Sequence, residues 1–96
     1  MDIYKWERIE LSDSKQLPVT EGCYALMHNE AVLYIGRAKL LWTRLSNLNT
    51  HKTISKIRSI VTDHLMLAYS VSDYDNEKEL IVKYQPKYNI EYIRKW

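Results

Sequence analysis

Residues 3–11 alternate loosely between apolar and polar positions, which predicts a short edge strand. Residues 12–21, with Pro18, read as a loop. Gly22 then opens the run Cys23-Tyr24-Ala25-Leu26-Met27-His28. Asn29-Glu30 marks a turn, and Ala31-Val32-Leu33-Tyr34-Ile35 follows as far as Gly36, so the pair reads as a β-hairpin. From residue 38 to 48 the apolar positions are 38, 41, 42, 45 and 48, a helical spacing. Ile54, Ile57 and Val61 predict a second, short helix. Leu65, Leu67, Tyr69 and Val71 alternate over residues 64–71 and predict a third strand. Ser72 and Asp75 have the spacing of a capping box that starts a third helix, and Pro86 ends it. Residues 89–96 form a tail that can add a strand. The expected fold is a small α/β domain of the α+β type, ββααβα in order, with helices flanking a three-stranded, mainly antiparallel sheet.

Ninety-six residues make one domain, spanning 1–96, with enough chain for a single thin core. At 46% apolar and 27% charged residues, neither disorder nor a membrane protein is expected. No apolar run approaches the ~18 residues of a bilayer span. The first residues lack the basic-then-apolar pattern of a signal peptide. One cysteine excludes an intrachain disulfide and any zinc site that needs two thiolates. The expected compartment is the cytoplasm.

The net charge of +2 hides an uneven distribution. Residues 1–33 sum to −3, whereas 34–64 hold six bases, Arg37, Lys39, Arg44, Lys52, Lys56 and Arg58, against Asp63 alone. A basic central third is the footprint of a phosphate-bearing partner, although a solvated helix face gives the same pattern. Arg37 and Arg44 lie seven residues apart, within about 20° of each other on a helix, and suit a phosphate. Two glycines fourteen residues apart exclude a dinucleotide fingerprint and a P-loop. His28, His51 and His64 lack metal-ligand spacing.

Glu77 is the odd residue. It shares a helical face with Tyr74, Ile81 and Tyr84, and a carboxylate on an apolar stripe is costly to bury alone. It either sits at the stripe's edge, reaching solvent or an arginine, or holds a divalent cation. Tyr24 and Tyr34, as strand tyrosines, read first as packing, and Trp42 as core.

Together these residues resemble the GIY-YIG nuclease family. Gly22-Cys23-Tyr24 matches its first signature, with Cys in place of the usual branched aliphatic residue. Tyr34-Ile35-Gly36 matches the second, at the family's ten-residue distance between tyrosines. Arg37 follows where a basic residue is common, and Arg44 falls where the family has its catalytic arginine. Glu77-Lys78-Glu79-Leu80-Ile81 and Pro86-Lys87-Tyr88-Asn89 match the later motifs. The resemblance covers about residues 20–90 and implies a three-stranded antiparallel sandwich that cuts phosphodiester bonds in DNA with one Mg²⁺ or Mn²⁺ ion.

By that resemblance Glu77 is the protein ligand of the metal and Arg44 binds the scissile phosphate, with Arg37 assisting. Tyr24 is the general base or positions the attacking water, which requires the site to lower its pKa or the metal to supply hydroxide. Tyr34 completes the hydrogen-bond network, and Asn89 braces the Glu77 region. The basic six, Arg37, Lys39, Arg44, Lys52, Lys56 and Arg58, form the nucleic-acid-binding set. Four residues after the arginine, where many members carry His or Tyr, this chain has Leu48; His51 is the nearest replacement. The expected function is a metal-dependent DNA endonuclease. The alternatives are a nucleic-acid-binding module impaired at Leu48 and an accessory subunit of a larger nuclease complex. Specificity would come from DNA shape, a homodimer or a protein partner. A shared site also requires both tyrosines on one sheet face, hence an odd-length connection or a bulge in the hairpin.

Overall fold

A computed structural model describes residues 2–93, the side chains of 91–93 excepted. The chain runs β1 (Glu7–Glu10), β2 (Gly22–His28), β3 (Ala31–Ala38), α1 (Leu41–Leu45), α2 (Lys52–Ile60), β4 (Met66–Ser70), α3 (Glu77–Tyr84) and α4 (Lys87–Ile93). The sheet has four strands in the order β1-β4-β2-β3, and every pairing is antiparallel.

β2 lies in the middle, and its side chains are apolar on both faces. One face presents Tyr24 and Leu26 to Leu41 and Leu45 of α1 and to Ile54 and Ile57 of α2. The other presents Cys23, Ala25 and Met27 to Ile3 and to Leu80 of α3. Two thin cores thus share one sheet, which is how a chain this short buries enough apolar surface.

The hairpin carries the expected irregularity. Asn29, at φ 54°, closes a tight turn that pairs His28 with Ala31. The register then slips between Leu26 and Met27: Met27 faces Val32, but Leu26 faces Tyr34. Leu33 is the extra residue of a β-bulge, and it turns Tyr34 onto the face of Tyr24.

Several sequence expectations are corrected. The sheet has four strands rather than three, because the weakly patterned segment Glu7–Glu10 pairs along its whole length with β4. Its charges are those an edge strand tolerates. The helix expected over residues 38–48 shrinks to Leu41–Leu45. Ala38 stays paired in β3, and the Asn47 side chain accepts from the Asn49 N–H to start a separate turn. The Ser72/Asp75 box does not form: Asp73 instead accepts from the Ser70 hydroxyl and the Asn76 amide, and α3 begins at Glu77. The tail is a helix rather than a strand as far as residue 93, and residues 94–96 lie outside the described residues. Pro86 separates α3 from α4, with Gln85 at φ 44° closing α3. Trp42 is not core; 41% of it is exposed.

Both motif glycines are sites of close approach. A Cβ on Gly22 would meet the Ser70 carbonyl oxygen at 2.6 Å and Leu41 at 2.7 Å. A Cβ on Gly36 would meet Tyr24 Cζ and Oη, each at 2.5 Å. The Tyr24 ring is buried and held at its hydroxyl, so it cannot swing clear. Gly36→Ala should therefore cost about 1–3 kcal/mol and lower Tm by roughly 5–20 °C. Thermal unfolding of the pair checks this, and an unchanged Tm would mean that Tyr24 is free to move.

Candidate active site

A cleft of about 660 Å³ runs across the edge strand β3. Tyr34 and Ile35 form its floor, Arg44 and His51 one wall, and Glu77 with Asn89 the other. A neighbouring hollow of about 520 Å³ shares Arg44 and adds Arg37, Lys39 and Tyr74. Residues from β3, α1, α3, α4 and the start of α2 thus meet in one place, although they span 56 positions of the chain from Tyr34 to Asn89.

Tyr24 lies behind this wall, 1% exposed. Its hydroxyl is 2.7 Å from His51 Nε2, and the rings of Tyr24, Tyr34 and His51 form a mutually tilted trio with centroids 5.6–6.3 Å apart. His51 arrives neither on a prolonged α1 nor in a free loop. It is the N-cap of α2, and its Nδ1 accepts the Ile54 N–H at 3.2 Å. A neutral imidazole that accepts at Nδ1 carries its proton on Nε2. His51 therefore donates to Tyr24, and the helix cap selects the tautomer.

Burial, and next the charge of Arg44, lower the His51 pKa to about 4, so the ring is neutral at physiological pH. Burial pushes the Tyr24 phenol well above its usual value. The repulsive influence of Tyr34 adds to this, and the Arg44 guanidinium, hydrogen-bonded to the phenol, pulls the other way without winning. Of the two routes that the resemblance implies, a lowered Tyr24 pKa and a hydroxide supplied by the metal, the fold does not provide the first: it holds Tyr24 as a neutral phenol with donors converging on its oxygen.

Glu77 stands at the first position of α3, half-buried. Burial pushes its carboxyl up, and Arg37, 3.5 Å away, opposes that shift. The structure shows the first of the two readings of the odd carboxylate: it lies at the edge of the buried stripe, where Leu80 is the buried residue, and it meets an arginine. Arg37 also lies over the Tyr74 ring at 4.8 Å, and Lys39 at 4.7 Å. Asn89 braces the β3 edge, not Glu77 directly. Its Oδ1 accepts the Ile35 N–H at 2.7 Å and its Nδ2 donates to the Ile35 carbonyl at 2.9 Å. One amide thus occupies the place of another strand beside the open edge.

The basic six are split. Arg37, Lys39, Arg44 and Lys52 border the two hollows, and Lys56 is exposed one turn further along α2. Arg58 lines other hollows, together with Leu48. Leu48 is thus directed away from the cleft. Lys78, which no motif singled out, lines the cleft beside Glu77. Its one signal in the sequence is adjacency to Glu77.

The UvrC-like GIY-YIG domain model matches residues 20–90. UvrABC system protein C of Borrelia hermsii (strain HS1 / DAH) is 36% identical over 84 residues, which cover 79% of this chain and 14% of that protein. The same protein of Rickettsia prowazekii (strain Madrid E) is 32% identical over 95 residues, covering 85% and 15%. The magnesium-bound GIY-YIG N-terminal endonuclease domain of UvrC from Thermotoga maritima matches with a TM-score of 0.64 and 27% identity, covering 81% of this chain and 93% of that one. The chain belongs to the GIY-YIG superfamily, as a UvrC-like GIY-YIG domain. It spans about one-seventh of the length of the curated relatives it matches.

The buried histidine sets a pH dependence. The unfolded chain binds a proton at His51 near pH 6.5, and the folded protein only near 4. Between those values the unfolded state holds more protons, so stability rises with pH. About 3 kcal/mol should be gained from pH 4 to 6.5, little above that range and none below it. Urea unfolding at fixed pH should show this slope, and His51→Gln should flatten it. An equal slope in both proteins would place the effect on other groups.

Proposed function

We propose that this protein is a divalent-metal-dependent endonuclease that hydrolyses phosphodiester bonds in DNA. The observation that carries the reading is the convergence of Tyr34, Arg44, His51 and Glu77 on one cleft, within a domain of the matched family. The structural relatives are described as bound to their catalytic divalent cation, magnesium in one case.

The donor set fits such an ion. Glu77 is the one carboxylate lining the cleft among the described residues, and no group of three or more His, Cys, Asp and Glu is present among them. A single carboxylate with open space suits Mg²⁺, which keeps most of its water and takes substrate phosphate oxygens as ligands. Bound there, the ion would supply Lewis-acid charge and an acidified water.

The chain's own residues do the rest. Arg44 is placed to bind the scissile phosphate with a forked pair of donors and to stabilise its developing charge. Arg37, set between Glu77 and Tyr74, reaches the same phosphate from the other side of the cleft. Tyr24, neutral and fixed by His51, orients Arg44 and the Tyr34 side of the floor. As a neutral phenol held by His51, it positions the attacking water. Asn89 fixes Ile35, and with it the Tyr34 and Gly36 positions on either side. Lys39, Lys52 and Lys56 extend the positive surface along the backbone of the DNA. His51 makes the contact with Tyr24 that the resemblance assigned to the Leu48 position, so Leu48 is no argument for an inactive binding module. Duplex shape or a protein partner outside this chain supplies the choice of substrate.

A panel of labelled single-stranded, duplex and branched DNAs, incubated with Mg²⁺ or with EDTA, tests the reading: nicking should occur with the metal alone, and salt-sensitive binding without cutting in either metal, Mg²⁺ or Mn²⁺, would overturn it. Glu77→Gln should retain the fold and lose cutting by at least about 100-fold, while Glu79→Gln cuts normally. The reverse outcome would shift the motif register by two residues. His51→Ala should cost at least about tenfold in cutting rate. Leu48→His should lower stability by about 1–3 kcal/mol without any gain in cutting, since that side chain does not reach the cleft.

A further inference from the structure

On the far shoulder of α1 lies another groove, of about 750 Å³, which of the family positions meets only Leu48. Its lining includes Lys15, Trp42, Ser46, Asn47, Asn49 and Arg58, and no acid. Trp42 is 41% exposed. Its indole N–H donates to the Lys15 carbonyl at 3.0 Å, so the ring is fixed in orientation while part of its surface stays open. Neither Lys15 nor Arg58 forms an ion pair among the described residues. Asp13 lies between the lining residues Ser12 and Ser14, and Arg58 also lines an adjoining hollow of about 270 Å³ with Glu10 and Asp63, each of which stands within 3.3 Å of a histidine.

A rigid, part-open indole flanked by two unpaired cations and neutral amide and hydroxyl groups has the chemistry of a single-strand nucleotide site. The ring stacks a base, the cations meet phosphates, and the amides hydrogen-bond base edges or sugars. Its position agrees. Trp42 and Arg44 stand about 200° apart on the short helix, with exposed Thr43 between them, while Leu41 and Leu45 face the core. A strand leaving the cleft at Arg44 therefore reaches the groove by crossing the outer surface of α1. That helix is about 10–12 Å across, a distance that a few nucleotides of unpaired strand cover.

We infer that the groove at Trp42, Lys15 and Arg58 is a second DNA-binding site, which stacks an unpaired base of the strand a few nucleotides from the bond held at Arg44. The inference rests on the reading of the cleft as a DNA-cutting site, but its test does not require cutting.

Affinity is measured in EDTA by fluorescence anisotropy, with a labelled single-stranded dodecamer and with a blunt duplex of the same sequence. Trp42→Ala should weaken binding of the single strand about 5- to 150-fold, the range for loss of one stacked base. Lys15→Glu should weaken it and make the salt dependence shallower. Trp42→Phe keeps a stacking ring and should retain most of the affinity, which separates stacking from a general loss of fold. Arg44→Ala reports on the cleft independently. Loss of affinity in Arg44→Ala with Trp42→Ala and Lys15→Glu unchanged would overturn the second site and leave the nuclease reading standing. Equal losses in Trp42→Ala and Trp42→Phe, with Lys15→Glu silent, would also overturn it, since the indole would then be a structural strut. A loss on the duplex but not on the single strand would overturn the stacking. Retained groove-dependent binding without cutting in Mg²⁺ would support the groove while removing the proposed activity.

Discussion

The site depends on the burial of one phenol. Tyr24 sits in the central strand with its hydroxyl on His51, and several features exist to let it lie there. The bulge at Leu33 brings Tyr34 to the same face. Gly36, directly opposite Tyr24, leaves room for the ring. The N-cap of α2 supplies a histidine whose second nitrogen is occupied by the helix's own backbone, so the ring can only donate. A polar group taken out of water needs its hydrogen bonds made. Here the bond from His51, beside that from Arg44, holds the phenol oxygen, and it ties β2 to the helix start that follows α1. No buried side-chain polar atom among the described residues lacks a partner.

Electrostatics in the cleft follows from the same burial. Desolvation moves Tyr24 and Glu77 up and His51 down, in each case favouring the neutral form. Arg37 and Arg44 counter this for the acids and reinforce it for the histidine. The outcome is a neutral Tyr24–His51 pair with cations at its rim and one carboxylate opposite. Such a rim attracts a polyanion. Cys23, on the other sheet face, donates its thiol to the Gly36 carbonyl at 3.1 Å and is pushed up to about 12 by burial, so it acts as a small apolar residue rather than a nucleophile.

The edge of the sheet that lines the cleft is also its vulnerable edge. Among the described residues β3 has no further strand beside it, and an open edge invites pairing with another chain. Asn89 blocks the edge at Ile35 with both ends of its amide, between the two residues whose positions matter most, Tyr34 and Gly36. The same contact fastens α4, which the sequence pattern left as a tail. The placement of the cleft floor and protection from edge pairing are therefore served by a single side chain.

Much of this was legible in the chain. The turn at Asn29-Glu30 between Gly22 and Gly36 marked the hairpin, alternation over residues 64–71 marked the third strand, and the motif spacings marked Tyr24, Tyr34, Arg44, Glu77 and Asn89. The need for a bulge followed from counting residues between the two tyrosines. These are local facts, set by spacing along the backbone, so sequence alone determined them. The length of α1, the fourth strand, the helical tail, the exposure of Trp42 and the outward direction of Leu48 were decided otherwise. Each depends on which backbone groups a distant segment satisfies: β4 accepts Glu7–Glu10, Ile35 takes Asn89, and Lys15 holds the indole of Trp42. His51 shows the division most clearly. Counting along a helix from Arg44 offered it a place only if α1 continued, and α1 ends at Leu45. It reaches Tyr24 because it caps the next helix, which packs against the sheet through Ile54 and Ile57. Spacing names the residues that can meet, but burial and hydrogen-bond satisfaction across the whole fold decide which of them do.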